Sequence, residues 1–361
     1  MPKEKMRVAV AMSGGVDSSV AALLLHEQGV EVVGMSMHLY NLDLPDTAKF
    51  DTCCSLEDLD QARRVAEDVG FPHYVVDYTV GFEEAVVRPF IEAYASGLTP
   101  NPCVWCNDRV KFQPLLEHAQ KLGCTHLATG HYARIVEHAG RLELRRPADR
   151  QKDQTYFLFS LDESQLAQTL FPLGDLTKAQ VRERAKAAGL VTAGKPESQD
   201  ICFIPDGDIV NFLEAEIETT TPGRIIRRDG EVLGEHEGIH RYTIGQRRGL
   251  GVSYAEPLYV SELRPDSGDV VVSTRDELGR DGARVGDVRW VNGRPDGPVS
   301  CAVQVRYRSR PVPATVEPVG ERAMVWFEDG LTEVVSPGQA CVFYDGDRVL
   351  GGGWIEAGLD R

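Results

Sequence analysis

Residues 13–19, Ser-Gly-Gly-Val-Asp-Ser-Ser, combine the residue types that hold a phosphate chain. Gly14 and Gly15 let the backbone come close to an anion, and Ser13, Ser18 and Ser19 add hydroxyl donors. The apolar run before them, residues 6–12 (MRVAVAM), reads as a buried strand. Residues 20–28 (VAALLLHEQ) read as a helix closed by Gly29. Strand, glycine turn and helix together present backbone N–H groups to phosphate at a helix N-terminus. Asp17 cannot itself attract phosphate, so its expected use is to hold Mg²⁺ bridging phosphate oxygens. The Lys of a G-x-x-x-x-G-K-[ST] loop is missing, which argues against the usual γ-phosphate cradle.

A second group of reactive side chains lies in residues 101–107 (NPCVWCN), where Cys103 and Cys106 stand in C-x₂-C spacing. Pro100 and Pro102 stiffen this stretch as a loop ahead of a helix, whose N-terminus would depress a nearby thiol pKa. Cys202 lies far off in a second loop, residues 194–205 (GKPESQDICFIP). Cys103, Cys106 and Cys202 supply three zinc ligands without an obvious fourth, and the adjacent Cys53 and Cys54 make poor tetrahedral ligands. Catalytic, metal-binding and structural roles all stay open for the C-x₂-C pair. Cys124, Cys301 and Cys341 fall within strand patterns and read as packed core thiols. His131, beside Gly130 at a sheet end, reads either as a satisfied strand-end histidine or as a substrate contact.

The elements that must position these groups alternate. Strands are expected at residues 31–37, 73–78 and 124–129, with helices at 55–69, 82–95 and 107–122, the last interrupted by Pro114. A helix is also expected at 178–188. This pattern implies an α/β fold, a mostly parallel sheet with helices on both faces, whose ligands gather beyond the carboxyl ends of the strands. After a short helical piece around 209–217, alternating strands with Asp-Gly and Asn-Gly turns take over. The run from residue 285 onward suits a small closed β-barrel. The expected division is a catalytic domain over 1–205, a small β-rich central domain over 206–280 and a C-terminal β-barrel domain over 281–361.

At 361 residues, two or three domains are expected. Eight cysteines without a leader segment fit a reducing cytoplasm, and no apolar run approaches a membrane span. The net charge of −16 argues against a general nucleic-acid coat protein. Local arginine clusters remain, among them Arg145, Arg146 and Arg150 with Lys152, and Arg306, Arg308 and Arg310 on a barrel strand. Each is either solvated surface or part of an RNA-facing patch.

SGGVDSS resembles the PP-loop of ATP pyrophosphatases. In order along the chain, SGGVDSS, LTPNPCVWCNDRVKF, ATGHYAR, KDQTYFL, SQDICFI, RYTIGQRRGLG and QVRYRSR are similar to the bacterial tRNA-specific 2-thiouridylase family, essentially from end to end. The resemblance implies ATP-dependent 2-thiolation of the wobble uridine of tRNA, with ATP and Mg²⁺ as cofactors. It further implies tRNA and a sulfur-relay protein or cysteine desulfurase as partners. A cytoplasmic monomer without membrane association is expected. By resemblance, Ala11, Met12, Ser13, Gly14, Gly15, Val16, Asp17, Ser18, Met37 and Gly130 bind ATP. Cys106 matches the catalytic nucleophile and Cys202 the cysteine that carries sulfur as a persulfide. Asn101, Pro102 and Cys103 lie against the target base. His131, Lys152, Asp153, Gln154, Arg306, Tyr307 and Gln339 match tRNA-contacting positions. Many members have Asp where this chain has Cys103, which removes the acid/base role assigned to that Asp. An iron–sulfur cluster on Cys103, Cys106 and Cys202 is the alternative to the persulfide, which is preferred because Cys202 matches the persulfide carrier. Two other functions leave parts of the chain unused: a PP-loop ligase that amidates a small metabolite, and a non-catalytic, metal-stabilised RNA-binding module.

Overall fold

A computed structural model describes residues 6–40, 56–197, 201–204, 207–217, 220–331 and 334–360. Cys53 and Cys54, the first residue of the expected helix at 55–69, and residues 198–200 and 205 of the Cys202 loop lie outside the described residues.

The apolar run at the start is buried on both faces, as a central parallel strand requires. β1 (Arg7–Ala11) is flanked by β2 (Glu31–His38) on one side and β4 (His126–Thr129) on the other. β3 (His73–Asp77) and the two-residue β7 (Thr169–Leu170) complete a parallel sheet of order β3-β2-β1-β4-β7. The chain direction of growth reverses between β1 and β4, so a crevice opens at their carboxyl ends, where Ala11 pairs with both Met35 and Thr129. α1 (Val16–Glu27) and α2 (Leu56–Val69) share one core with the helix Lys178–Ala187, through Val20, Ala21, Leu25, Ala62, Val65, Val181 and Ala185.

Two local expectations change. Cys103 and Cys106 do not sit in a loop: Pro102 opens a single helical turn, Pro102–Cys106, because its fixed φ and missing N–H suit a first helical position. The helix expected over 82–95 is two pieces, a wide π-helical turn at Glu83–Val87 and a regular helix at Arg88–Ala95. An antiparallel hairpin, β5 (Arg134–His138) and β6 (Arg141–Arg145), was not anticipated.

By packing, the described chain separates into two units. The first takes residues up to Val87, then Cys103–Gly207 and Asp347–Val349. The second takes Arg88–Pro102, Asp208–Gly346 and Leu350–Arg361. Within the second unit, the Phe90 ring lies tilted against Tyr94 at 4.9 Å and against Phe212 at 6.4 Å, and the contact with Phe212 joins residues 88–102 to that unit. That unit contains the sheet of β8 (Gly223–Arg227), β9 (Val232–His236), β10 (Tyr259–Arg264) and β11 (Asp269–Ser273).

It also contains a barrel. The strands β12 (Arg280–Trp290), β13 (Val299–Gln304), β14 (Val312–Val319), β15 (Arg322–Leu331), β16 (Ala340–Asp345) and β17 (Arg348–Leu359) close on themselves through a β12–β17 pairing. Ala314 and Val316, then Ala323, Val325 and Phe327, point inward at every second position, the period of a strand with one buried face. Arg306, Arg308 and Arg310 are not on a strand: β13 ends at Gln304, and the arginines occupy the connection to β14.

Phe343 is fully buried in the barrel, 5.4 Å from the Trp290 ring. Phe343→Ala is expected to cost about 3–5 kcal/mol in stability. A urea titration followed by tryptophan fluorescence measures it; a midpoint unchanged from the parent chain would place Phe343 outside the stabilising core.

Candidate nucleotide and sulfur-transfer site

The loop after β1 is held by its own hydroxyls. Ser18 Oγ donates to the Gly15 carbonyl at 3.2 Å and accepts the Ser13 N–H at 3.2 Å, while Ser19 Oγ donates to the same carbonyl at 2.8 Å. Ser18 and Ser19 are buried and thus brace the turn, leaving Ser13 exposed. Gly15 is the N-cap of α1, extended at φ −91° and ψ 163°, and no side chain caps the helix. Uncapped N–H groups at a helix start are an anion site.

Two glycines let backbone meet backbone. Gly14 has φ +67°, and a Cβ there would lie 2.3 Å from the Asp58 carbonyl oxygen. At Gly130, just past β4, a Cβ would fall 2.7 Å from the Ser18 nitrogen. Any larger residue at 130 would push β4 away from the start of α1. Met37 is buried near the end of β2, on the same end of the sheet.

Asp17, in the first turn of α1, does not face solvent alone. Lys178 Nζ reaches its two carboxylate oxygens at 2.8 and 2.7 Å, and Tyr132 Oη donates to it at 2.9 Å. Burial, with the Asp17 charge beside it, pushes the Tyr132 phenol well above its ordinary range, so it stays a donor. Lys178 also meets Glu197 at 2.9 Å, and Glu197 meets Lys152 at 2.6 Å. Burial alone would raise the Glu197 pKa, but hydrogen bonds from Lys152 and Lys178 outweigh it and hold the carboxyl at about 2. The Lys178 ammonium, held between two carboxylates, marks a place where this site already accepts a cation. One carboxylate beside phosphate oxygens is a donor set that suits Mg²⁺, so the residues fit that ion.

The remaining sites differ in exposure. Cys103 is exposed, Cys106 is buried and Cys202 is half-buried. His131 shares a 2.8 Å hydrogen bond with Thr129 Oγ1 and stacks on Phe112, with Phe171 edge-on at 6.3 Å. Enclosure, with Lys111 adding repulsion, pushes its pKa down to about 3, so the ring is neutral at pH 7. Asp153 accepts both the N–H and the hydroxyl of Thr155, and Gln154 accepts the Tyr132 N–H at 2.8 Å.

In the second unit, Arg306 is exposed and Tyr307 half-buried. Gln304, which the sequence did not single out, pins their turn by donating to the Arg306 and Tyr307 carbonyls at 3.1 and 2.6 Å. Gln339 is buried and donates to the Thr99 carbonyl at 2.8 Å, while the Thr99 N–H donates to Pro337 at 2.9 Å. It therefore secures the stretch that leads to Asn101 and Pro102. The core readings for Cys124 and Cys341 agree with their burial, which raises both thiols; burial pushes half-buried Cys301 up to about 12. Among the described residues, no group of three or more His, Cys, Asp or Glu is placed to hold a metal ion, and no helix is long and apolar enough to cross a membrane.

Three family profiles match consecutive parts of the chain. They are described as tRNA methyl transferase HUP domain over residues 6–206, tRNA methyl transferase PRC-barrel domain over 210–274, and aminomethyltransferase beta-barrel domain over 280–355. Relatives named tRNA-specific 2-thiouridylase MnmA align over nearly their whole length. The one from Geobacter metallireducens is 50% identical over 99% of this chain and 98% of its own. That from Geotalea uraniireducens is 48% identical over 98% and 96%, and that from Solibacter usitatus 48% over 99% and 100%. The domain descriptions carry the word methyl transferase, but the full-length relatives do not. A glycine loop that leads into a helix start without a side-chain cap, packed closely against Gly130, and end-to-end identity near one half lead to one conclusion: the chain belongs to the tRNA-specific 2-thiouridylase family.

Proposed function

We propose that this chain carries out the ATP-dependent 2-thiolation of the wobble uridine of tRNA. The observation that supports this most directly is the uncapped N-terminus of α1 behind Gly14 and Gly15, at the sheet's carboxyl end, in a chain whose relatives are 2-thiouridylases. Oxygen on C2 of uracil is a poor leaving group. Attack of O2 on the α-phosphorus forms a C2–O–P linkage, pyrophosphate leaves with the electron pair, and N3 gives up its proton. Gly14, Gly15 and the first N–H groups of α1 hold the departing charge. Mg²⁺ at Asp17 would neutralise that charge further, and Lys178 would then keep Glu197 as its partner.

Sulfur follows by nucleophilic substitution. The terminal sulfur of a persulfide on Cys202 attacks C2, the C2–O bond breaks, and AMP departs. Cys106 thiolate then attacks the Cys202 sulfur, leaving the outer sulfur on C2 and closing a Cys106–Cys202 disulfide, which an external reductant reopens. In the other version the Cys106 thiolate attacks the Cys202 sulfur first, closing the disulfide and releasing the outer sulfur as sulfide, which then attacks C2 as AMP departs. A persulfide is largely ionised near neutral pH, which makes it a ready nucleophile. The base must leave the anticodon stack to be reached. Asn101 and Pro102, with the exposed Cys103, are read as lying against it. His131, Lys152, Asp153, Gln154, Arg306, Tyr307 and Gln339 are read as facing or shaping the RNA surface, with 206–280 and 281–361 as RNA-binding domains. Asp153, Gln154 and Gln339 use their side chains internally, so their contribution is to shape that surface. Pyrophosphate release that depends on added tRNA is the test of the whole reading; release without tRNA, or none at all, would remove it.

Five variants separate the parts. Asp17→Ala is expected to bind tRNA within about twofold of the parent while losing tRNA-dependent pyrophosphate release, because it removes a cation-holding group and not an RNA contact. Normal release would sink that role. Arg306→Ala should weaken tRNA binding and lower the slope of log affinity against log salt by about one phosphate contact. An unchanged slope returns the arginine turn to solvated surface. Cys103→Ala should keep most thiolation with a persulfide donor under anaerobic, reducing conditions, whereas Cys106→Ala and Cys202→Ala should not. Complete loss in Cys103→Ala, with iron and acid-labile sulfide in the parent but not the variant, would favour the cluster.

A further inference from the structure

We propose that Lys195 is a positioning residue for the nucleotide loop, fixing the Gly14 peptide so that the Gly15 N–H stays turned to an incoming phosphate. The proposal rests on the nucleotide reading of that loop. Lys195 Nζ donates to the Gly14 carbonyl at 3.2 Å and to Gln61 Oε1 at 2.9 Å, and forms an ion pair with Asp58. A trans peptide is planar, with its C=O and the following N–H pointing opposite ways. Holding the Gly14 carbonyl on the α2 side therefore directs the Gly15 N–H to the opposite side. Gly15 is the uncapped start of α1, where that N–H matters most.

The arrangement is built, not incidental. Gly14 adopts φ +67°, a region that glycine visits freely in either sense, so nothing in its own conformation prevents the peptide from turning over. A side chain at 14 is excluded by the Asp58 backbone, so the restraint has to come from another residue. Lys195 is itself restrained: its N–H donates to the Thr192 carbonyl at 3.1 Å, and its own carbonyl accepts Arg182 Nη1 at 3.3 Å. Its side chain is only 19% exposed and Asp58 only 5%. The ion pair does a second service, cancelling a buried carboxylate that would repel phosphate beside the loop. Lys195 also stands seven positions before Cys202, so the same strand of chain serves both ends of the reaction.

The two services can be told apart. The probe is α,β-methylene-ATP with Mg²⁺, titrated into the full-length chain by calorimetry. Lys195→Met is expected to bind it roughly tenfold more weakly, the order a charge-assisted hydrogen bond carries. Lys195→Arg, which keeps a donor, should retain most of the affinity. Because Lys195→Met leaves Asp58 buried without its cation, Lys195→Met combined with Asp58→Asn serves as the decisive variant: it should melt near the parent temperature and still bind the analogue weakly. Parent-like affinity in that double variant would mean that Lys195 acts only by neutralising Asp58, and would overturn the proposal. So would parent-like affinity in Lys195→Met alone. A parent chain that binds no analogue would sink the nucleotide reading itself, a failure distinct from either.

Discussion

Backbone packed directly on backbone is the constraint from which the site follows. Gly130 lets the end of β4 approach the Asp17–Ser18 peptide, and Gly14 lets the loop rest on the first turn of α2. Neither contact leaves room for a Cβ. Together they draw the ends of β1 and β4 and the starts of α1 and α2 to one point. The loop therefore offers a phosphate mainly its main-chain N–H groups, with the Ser18 and Ser19 hydroxyls turned back to hold the turn. A loop made this way cannot carry its own cation, and it has to import one from elsewhere in the chain.

The imported lysines form a balanced row with Asp17 and Glu197. Asp17, Lys178, Glu197 and Lys152 alternate in sign, each within 3 Å of the next, and sum to zero. Burying an ion without such partners costs several kcal/mol. The row also reconciles an acidic chain with a polyanionic substrate, because its lysines are present but held by carboxylates. Pairing of this kind limits indiscriminate attraction to nucleic acid, while leaving cations where phosphate has to be met.

The local patterns were legible because they depend on neighbours in sequence. The strand before Gly14, the helices at 56–69 and 178–187 and the strands of the barrel all show periodicity strong enough to read, and the structure has them. The helix containing Cys103 and Cys106 was missed because two prolines suggest a loop, whereas one of them opens a helix. The arginines after Gln304 were placed on a strand because the apolar alternation runs on in the sequence through Val305 and Tyr307. Tyr132, Lys178, Glu197 and Lys195 were not singled out as site residues. Lys178 lies 161 residues from Asp17, and no short-range pattern announces a partner at that distance. Glu197 and Lys195 stood within the loop already marked for Cys202, so their charge was a signal that passed unused.

Residues 88–102 have their packing partners on the far side of the sequence. Phe90 rests near Phe212, Tyr94 shares a hydrogen bond with Thr243, and Thr99 is held by Pro337 and Gln339. A cut in the chain near residue 206 thus would not release a self-sufficient catalytic half. The severed N-terminal piece would carry an aromatic segment without its core, and the C-terminal piece would lack the helix that fills it. In evolutionary terms, the halves cannot be exchanged as modules, and a change that improves the barrel has to remain compatible with a segment encoded before the cysteines.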